Sequence, residues 1–130
     1  MILYYAADLL WSTRIRSTAQ TLGIEVRPIR SVEMLAARLA DSEVRGVVVD
    51  LDGGETALTL IRHLRRPEAT DAERAVKVVA WGPHVEVEKL RAAKEAGADS
   101  VMARGAFSRR LVAVLRELED GAGVDDDMVE

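Results

Sequence analysis

Short apolar runs alternate with amphipathic stretches along most of the chain, and this alternation restricts the possible folds more than any other feature. The runs lie at residues 2–7, 24–29, 46–51, 76–81 and 100–103. The third run, GVVVDL, is apolar at both even and odd positions, which is typical of a central strand that is covered on both faces. The second run alternates and contains Pro28, as an edge strand would. We therefore predict five strands.

The stretches between the runs carry apolar residues at helical spacing. The first predicted helix has Ser12 or Thr13 as its cap and Gly23 just past its end. The second is predicted to be capped by Ser31, and the third to cover about residues 54–66. These capping residues are informative because the backbone N–H and C=O groups at the ends of a helix lack partners within the helix.

The second half of the chain predicts two further helices. The fourth covers about residues 85–96, and the fifth begins at a Ser108 cap. Four residues of the fifth helix are predicted to face the core: Leu111, Val112, Leu115 and Leu118. The segment 67–75 is interpreted as a surface connection that follows the end of the third helix at Pro67.

Five strands that alternate with five helices indicate an α/β protein with a parallel sheet and helices on both faces, a (βα)5 arrangement. Right-handed crossovers leave few topologies, and we predict the flavodoxin-like strand order 2-1-3-4-5. One domain is predicted over residues 1–119, followed by an acidic, flexible tail over residues 120–130. Ligands of such sheets bind at the carboxyl ends of the strands, so the candidate site is sought there.

The composition excludes several classes of function. A net charge of −4 and an aromatic content of 4% argue against a nucleic-acid partner. The absence of cysteine excludes disulfides and zinc–thiolate sites. No apolar run is long enough to span a membrane, so we expect a cytoplasmic protein without a membrane partner. No glycine-rich phosphate-binding sequence follows the first strand and no nucleophile–base pair is visible, so no catalytic residue is predicted.

Polar side chains follow the ends of four predicted strands. We predict that they converge around Asp50 at one edge of the sheet, where an active-site-like pocket is formed by Asp8, Asp52, Trp81, His84 and Arg104. Trp81 ends the fourth run, and two interpretations stay open. Either Trp81 and His84 line a pocket for a ligand or partner, or Trp81 packs over the fifth strand while His84 lies near the start of the fourth helix.

At the fifth strand, the sequence GADSVMAR of residues 97–104, followed by Phe107, resembles receiver domains of two-component response regulators, the CheY-like family. In that family the fifth strand leads into Lys-Pro-Phe. The run VVVDL at 47–51 is similar to the strand that carries the phosphoacceptor aspartate. The resemblance covers about residues 1–118 and implies a CheY-like fold. It places Asp50 at the phosphoacceptor position and Arg104 at the lysine position.

The chain departs from this family at positions that matter for phosphorylation. The acidic pair that holds Mg²⁺ is matched by Ala6 and Ala7, and the hydroxyl position falls at Ala80 or Gly82. The switch aromatic is matched by Val101. Mg²⁺ is usually held by carboxylates, so no metal or cofactor is predicted. If a metal does bind, Asp8 and Asp50 are the expected ligands, with Asp52 as a substitute for Asp8.

These departures imply a degenerate receiver, or pseudo-receiver, that acts as a protein-interaction module without standard phosphorylation of Asp50. We expect Arg104 to pair directly with Asp50. The alternative is a working phosphoreceiver with an atypical site, in which Asp50 is the acceptor and Mg²⁺ the cofactor. Val101, Arg109 and Arg110 mark the predicted interaction face. The expected partner is a signalling protein or a second copy bound through the fourth and fifth predicted helices.

Three arginines crowd the end of the third predicted helix. Arg62, Arg65 and Arg66 are open to two interpretations from the sequence. They form either a patch for an acidic partner or a set of charges that complements the carboxyl end of the helix dipole.

Overall fold

The computed structural model describes residues 1–121 and shows one parallel sheet with the strand order β2-β1-β3-β4-β5. The strands are β1 Ile2–Tyr5, β2 Val26–Pro28, β3 Gly46–Asp50, β4 Lys77–Gly82 and β5 Ser100–Ala103. The helices are α1 Leu9–Leu22, α2 Val32–Asp41, α3 Glu55–Arg65, α4 Asp71–Ala75, α5 Val87–Ala96 and α6 Arg104–Asp120. A 3₁₀ turn, Leu51–Gly53, follows β3. The predicted fold class and strand order are confirmed.

Two apolar clusters cover the two faces of the sheet. Leu3, Val47 and Val49 face α2, α3 and α5, whereas Tyr4 and Val48 face α1 and α6. Neighbouring residues of a strand point to opposite faces, which is why the doubly covered β3 is apolar at every position before Asp50. Within residues 1–121 no helix is both long and apolar enough to cross a membrane.

The amino ends of the first and last helices differ from the prediction. Asp8 caps α1, because its Oδ1 accepts the N–H of Trp11 at 2.8 Å, so the expected caps Ser12 and Thr13 lie inside the helix. Helix α6 begins at Arg104 directly after β5, and the expected cap at Ser108 is also wrong. The inward-packed residues of the first turn, Ala106 and Phe107, make this early start favourable, because they join the core beneath α6.

Two further details of the carboxyl-terminal half were not anticipated. Val112 is 42% exposed, so its predicted place in the core is wrong, although Leu111, Leu115 and Leu118 are buried. Helix α6 continues through Asp120. Residues 122–130, which make up most of the predicted acidic tail, lie outside the described part of the chain.

The predicted connection 67–75 contains the short helix α4, which a capping box starts. Thr70 Oγ accepts the N–H of Glu73 at 3.1 Å, and Glu73 Oε1 accepts the N–H of Thr70 at 2.8 Å. Arg66 donates to both carboxylate oxygens of Glu73, at 3.0 and 3.2 Å, and His63 Nε2 lies 3.4 Å from Oε2. The Arg66 guanidinium and the Thr70 N–H lower the pKa of Glu73 from 4.5 to about 2. This cluster fastens α4 to the end of α3.

The Glu73 cluster predicts a specific dependence of stability on acid. Because the pKa is lowered in the folded state, the stabilisation is fully present above pH 4.5 and is lost as pH falls towards about 2. At neutral pH we expect the free energy of unfolding of the wild type to be about 2–3 kcal/mol higher than that of Glu73→Gln. This difference should vanish as the pH approaches about 2. Urea unfolding of both proteins between pH 7 and the acid limit measures it.

The matched control for this pH series is Glu68→Gln, which changes an exposed glutamate in the segment before α4. Its free energy of unfolding should stay within about 0.5 kcal/mol of the wild type at every pH. A difference between wild type and Glu73→Gln that does not change with pH would show that Arg66 does not hold the Glu73 carboxylate in its ionised form.

Candidate functional site

The carboxyl end of β3 places Asp50 in a closed environment. Asp50 is only 2% exposed. Its Oδ2 accepts the N–H of Ala7 at 2.9 Å, and its Oδ1 accepts the N–H of Asp52 at 3.0 Å. Burial raises the pKa of the Asp50 carboxyl, and the two N–H donors offset only part of that effect. The side chain therefore acts as a bridge between the β1–α1 connection and the turn after β3.

Arg104 pairs with Asp52 and not with Asp50, so the expected Arg104–Asp50 pair is wrong. Arg104 Nη2 donates to Asp52 Oδ2, and the two side chains are 48% and 38% exposed. The reason is geometric, because Asp52 lies on the outer side of the 3₁₀ turn while Asp50 points inward to backbone donors. An ion pair this exposed contributes only about 0–1 kcal/mol.

Tyr5 covers the turn after β3, a contact that the sequence analysis missed. Its hydroxyl donates to the carbonyl oxygen of Gly53 at 3.2 Å. A Cβ atom on Gly53 would lie 2.2 Å from Tyr5 Cε2, so the ring closes over the turn only because residue 53 is a glycine. The available signal was an aromatic residue at the carboxyl end of β1, one position before the alanine pair. Tyr5 thus helps to close the surroundings of Asp50.

The donor set around Asp50 does not fit a Mg²⁺ ion. Ala6 and Ala7 have no carboxylate, and the Asp8 carboxylate caps α1 by accepting the N–H of Trp11. Among residues 1–121, no group of three or more His, Asp or Glu side chains is placed to hold a metal. Mg²⁺ requires several oxygen ligands in near-octahedral geometry, and each Asp50 oxygen has one acceptor site left beside the N–H group that it already accepts. Asp8 still lies close enough for its charge to raise the pKa of Asp50.

The structure removes Trp81 from the predicted pocket. Its side chain is fully buried beneath α1 and α6, where it stacks on Phe107 with the ring centroids 4.2 Å apart and the planes 9° apart. Trp11 lies against both rings at 5.3 Å. Trp81 follows Val79 by two positions in β4, so both side chains point to the α1/α6 face, and the strand continues one residue further than predicted, to Gly82. His84 is exposed in the turn that follows β4.

Gly82 is one of the two positions, with Ala80, at which the resemblance to receiver domains implies a hydroxyl group. Asp50 pairs in register with Trp81, and Gly82 is the next residue of β4. A Cβ atom at Gly82 would lie 3.3 Å from Cβ and 3.5 Å from Cδ1 of Leu51. The side chain of Leu51 therefore lies close to Gly82, and this part of the edge has no hydroxyl group.

The predicted interaction face is only partly at the surface. Val101 is fully buried between the sheet and α5, so its predicted place on this face is wrong. Arg109 is exposed and Arg110 is half-buried, and both lie in the second turn of α6 and not in its first. Among the described residues, the most exposed large apolar side chains lie elsewhere, in α1 and around the start of α5: Leu9, Leu10, Val85 and Val87.

Solved structures of response regulators share this architecture. A putative response regulator from Chloroflexus aurantiacus superposes with a TM-score of 0.74 at 18% identity, covering 90% of this chain and 94% of that chain. The receiver domain of NtrX from Brucella abortus gives 0.73 at 18% identity, covering 92% and 98%. A response regulator from Thermotoga maritima gives 0.70 at 17% identity, covering 92% and 96%.

The chain therefore has the fold of response-regulator receiver domains, the CheY-like fold, over most of its length. At these identities the likeness is one of fold, and a fold of this kind hosts many functions. No protein-family model matches the sequence, and no curated protein does either.

Proposed function

We propose that this protein is a cytoplasmic pseudo-receiver, a non-enzymatic interaction module of two-component-type signalling that works without phosphorylation of Asp50. One observation carries the proposal. The Asp50 carboxyl is 2% exposed, and each of its oxygens already accepts a backbone N–H group. A nucleophile must reach an incoming phosphoryl group, and this carboxylate is held away from solvent by its own loop.

The surroundings of Asp50 support the same interpretation. Phosphoryl transfer is catalysed by positioning and by charges that neutralise the oxygens of the transferred group. Ala6 and Ala7 supply no carboxylate for a metal, and the Arg104 guanidinium is engaged by Asp52. Gly82 supplies no hydroxyl, and the side chain of Leu51 lies close to it. Four contributions that transfer would need are therefore missing or directed elsewhere: the metal ligands, the cation, the hydroxyl and the open approach.

The alternative function is a working phosphoreceiver that uses Asp50 as the acceptor and Mg²⁺ as a cofactor. The position of Asp50 at the carboxyl end of the central strand, with Arg104 nearby at the end of β5, favours it. In that case one Asp50 oxygen would have to bond to phosphorus, although each oxygen now accepts a backbone N–H group. Weakening of the hydrogen bond at that oxygen is a cost that an acceptor aspartate in an open site would avoid.

Intact-mass measurement after incubation with acetyl phosphate and Mg²⁺ tests the proposal. We expect no increase by the mass of one phosphoryl group, and no change in tryptophan fluorescence when Mg²⁺ is added, because no acidic pair recruits the ion. A conventional receiver domain treated in parallel shows that the reagents are active. A labile adduct that is present in the wild type and absent from Asp50→Asn would overturn the proposal and establish Asp50 as the acceptor.

The partner we propose is another signalling protein, with no role for nucleic acid or a membrane. Binding of a second copy through α5 and α6 stays a prediction. Its proposed surface contains Arg109 and Arg110, and Val112 is the large apolar side chain exposed on α6. Since an interface draws most of its affinity from a desolvated centre, this surface depends heavily on Val112.

A further inference from the structure

A groove lies at the amino edge of the sheet, a strand's length away from Asp50. Its volume is about 330 Å³, at the small end of the range for sites that take organic groups. The end of α2, the segment before β3, helix α4 and the start of β4 surround it. Its surface is largely apolar and is contributed by Leu39, Val44, Ala72, Ala75 and Val76. We refer to it as the amino-edge groove.

The last described residue of the chain belongs to the lining of this groove. Gly121 follows α6 in the left-handed conformation, with a φ of 79°, and its N–H bonds to the carbonyl oxygens of Glu117 and Leu118. This conformation ends the helix and turns the chain away from the helix axis. The sequence that follows Gly121 therefore starts at the groove.

Residues 122–130, AGVDDDMVE, come directly after this point. Val124 is the first large apolar residue among them and the third residue after Gly121. An extended chain advances at most about 3.6 Å per residue, so Val124 stays within about 11 Å of Gly121. A segment tethered so closely meets the groove at an effective concentration of millimolar order, so even a weak contact is occupied. Chain continuity thus favours this segment over any free partner as the occupant of the groove.

The charge of the segment suits one cation of the groove. Three aspartates follow Val124. Lys77 lines the groove, and within the described part of the chain no carboxylate forms an ion pair with its ammonium group. Arg45 also lines the groove, but Glu43 and Glu119 already lie near its guanidinium at 3.4 and 3.7 Å. The charge argument therefore depends on Lys77 and assigns no role to Arg45.

We propose that residues 122–130 bind in the amino-edge groove of their own molecule, with Val124 against the apolar lining and the three aspartates facing Lys77. The segment then acts as a tethered cover, which a partner that uses this surface has to displace. The inference goes beyond the proposed function and does not depend on it, because the groove and Asp50 lie at opposite edges of the sheet.

A spin label at residue 130 of the full chain provides the measurement. The chain has no cysteine, so Glu130→Cys creates a single attachment point. Paramagnetic broadening of the backbone amide signals of Ala72 and Ala75 reports the approach of the segment to the groove. Asp52, at the carboxyl edge, is the reference position. We expect strong broadening at the two alanines and little at Asp52.

Substitutions of Val124 separate docking from the effect of the tether alone. Burial of a valine side chain contributes enough that Val124→Asp should shift the equilibrium towards the undocked form by at least about tenfold. The broadening at Ala72 and Ala75 should then fall to the level that the tether alone produces. Val124→Leu keeps a large apolar group and should retain the broadening. Thermal unfolding verifies that each variant is folded.

The charged contact is tested from both sides. Lys77→Gln and a variant with asparagine in place of Asp125, Asp126 and Asp127 should each weaken docking by about two- to fivefold at low salt. Combining the two changes should weaken docking no further than either alone. Added salt should have the same effect on the wild type, because it screens exposed charges. Lys89→Gln, at an exposed lysine of α5, is the matched control and should leave the broadening unchanged.

Two results would overturn the inference. The first is equal broadening at Ala72 and Ala75 with and without Val124→Asp, which the tether alone explains. The second is equally strong broadening when spin-labelled chains are mixed with isotope-labelled chains that carry no spin label, because the segment then binds a second copy. A phosphoryl adduct on Asp50 would overturn the proposed function and leave these results as they stand, so the two failures are distinguishable.

Discussion

Replacing Trp81 with alanine is expected to lower the free energy of unfolding by about 3–5 kcal/mol, as for other large buried aromatic residues. Trp81 is fully buried, stacks on Phe107 and contacts Trp11, so its removal leaves a cavity that three elements enclose. The loss corresponds to a fall in Tm on the order of 10 °C for a chain of this length. Urea unfolding followed by circular dichroism, which does not depend on the deleted fluorophore, measures it.

Trp81→Phe is the matched control for this experiment. The indole Nε1 of Trp81 is buried without a hydrogen-bond partner, so phenylalanine keeps the stacking on Phe107 and removes an unsatisfied donor. We expect this variant to cost less than about 1.5 kcal/mol. If both variants lost the same stability, the indole N–H would have an important partner. If neither lost stability, Trp81 would not be part of the core.

The second large effect is expected at Arg65, where Arg65→Met should cost about 2–4 kcal/mol. Arg65 Nε donates to the Gly97 carbonyl at 3.1 Å, and Nη2 donates to the Val76 carbonyl at 2.8 Å and to Asp99 Oδ2 at 2.9 Å. Methionine keeps much of the apolar stem but leaves two backbone carbonyls without their donor. The guanidinium thus connects the end of α3 with the segments before β4 and β5.

Arg62→Met provides the comparison on the same helix. The Arg62 side chain is 56% exposed and pairs only with the exposed Glu55, so its replacement should change stability by no more than about 0.5 kcal/mol. Equal losses for the two variants would mean that the crowded arginines act through the helix dipole, because that effect does not require the specific contacts of Arg65. Guanidinium or urea unfolding at moderate ionic strength distinguishes the two cases.

The arginines at the end of α3 show how far a local pattern can be interpreted. The sequence offered a patch for an acidic partner or a complement to the helix dipole. The structure gives Arg65 and Arg66 a third role, in which they bind carbonyls and carboxylates of the following segments. The partners in those segments lie 7 to 34 positions further along the chain, beyond the reach of helical spacing rules. Arg66 also donates to the carbonyl oxygen of His63 in the last turn of α3 at 2.6 Å, as the second interpretation predicts. The capping box of Thr70 and Glu73 was a local signal that the sequence contains and the analysis overlooked.

The sequence pattern predicted the order of the five strands and the five longer helices, and it predicted that the site lies at the carboxyl edge of the sheet. Apolar periodicity and helix-ending glycines are properties of neighbouring residues, so the strand at residues 46–50 and the stop at Gly23 were predictable. The position of Asp50 at the end of a buried strand followed from the same pattern.

The contacts made by the residues at that edge depend on segments that are distant in the sequence. Asp50 accepts the N–H of Ala7, which is 43 residues away, and Arg104 forms an ion pair with Asp52, which is 52 residues away. Trp81 is buried because α1 and α6 cover the face of β4 to which it points, and neither helix is next to β4 in the sequence. Hydrogen-bond choice and burial depend on which distant segments meet and in what register. For that reason the sequence predicted which residues lie at the site but not which of them pair with one another.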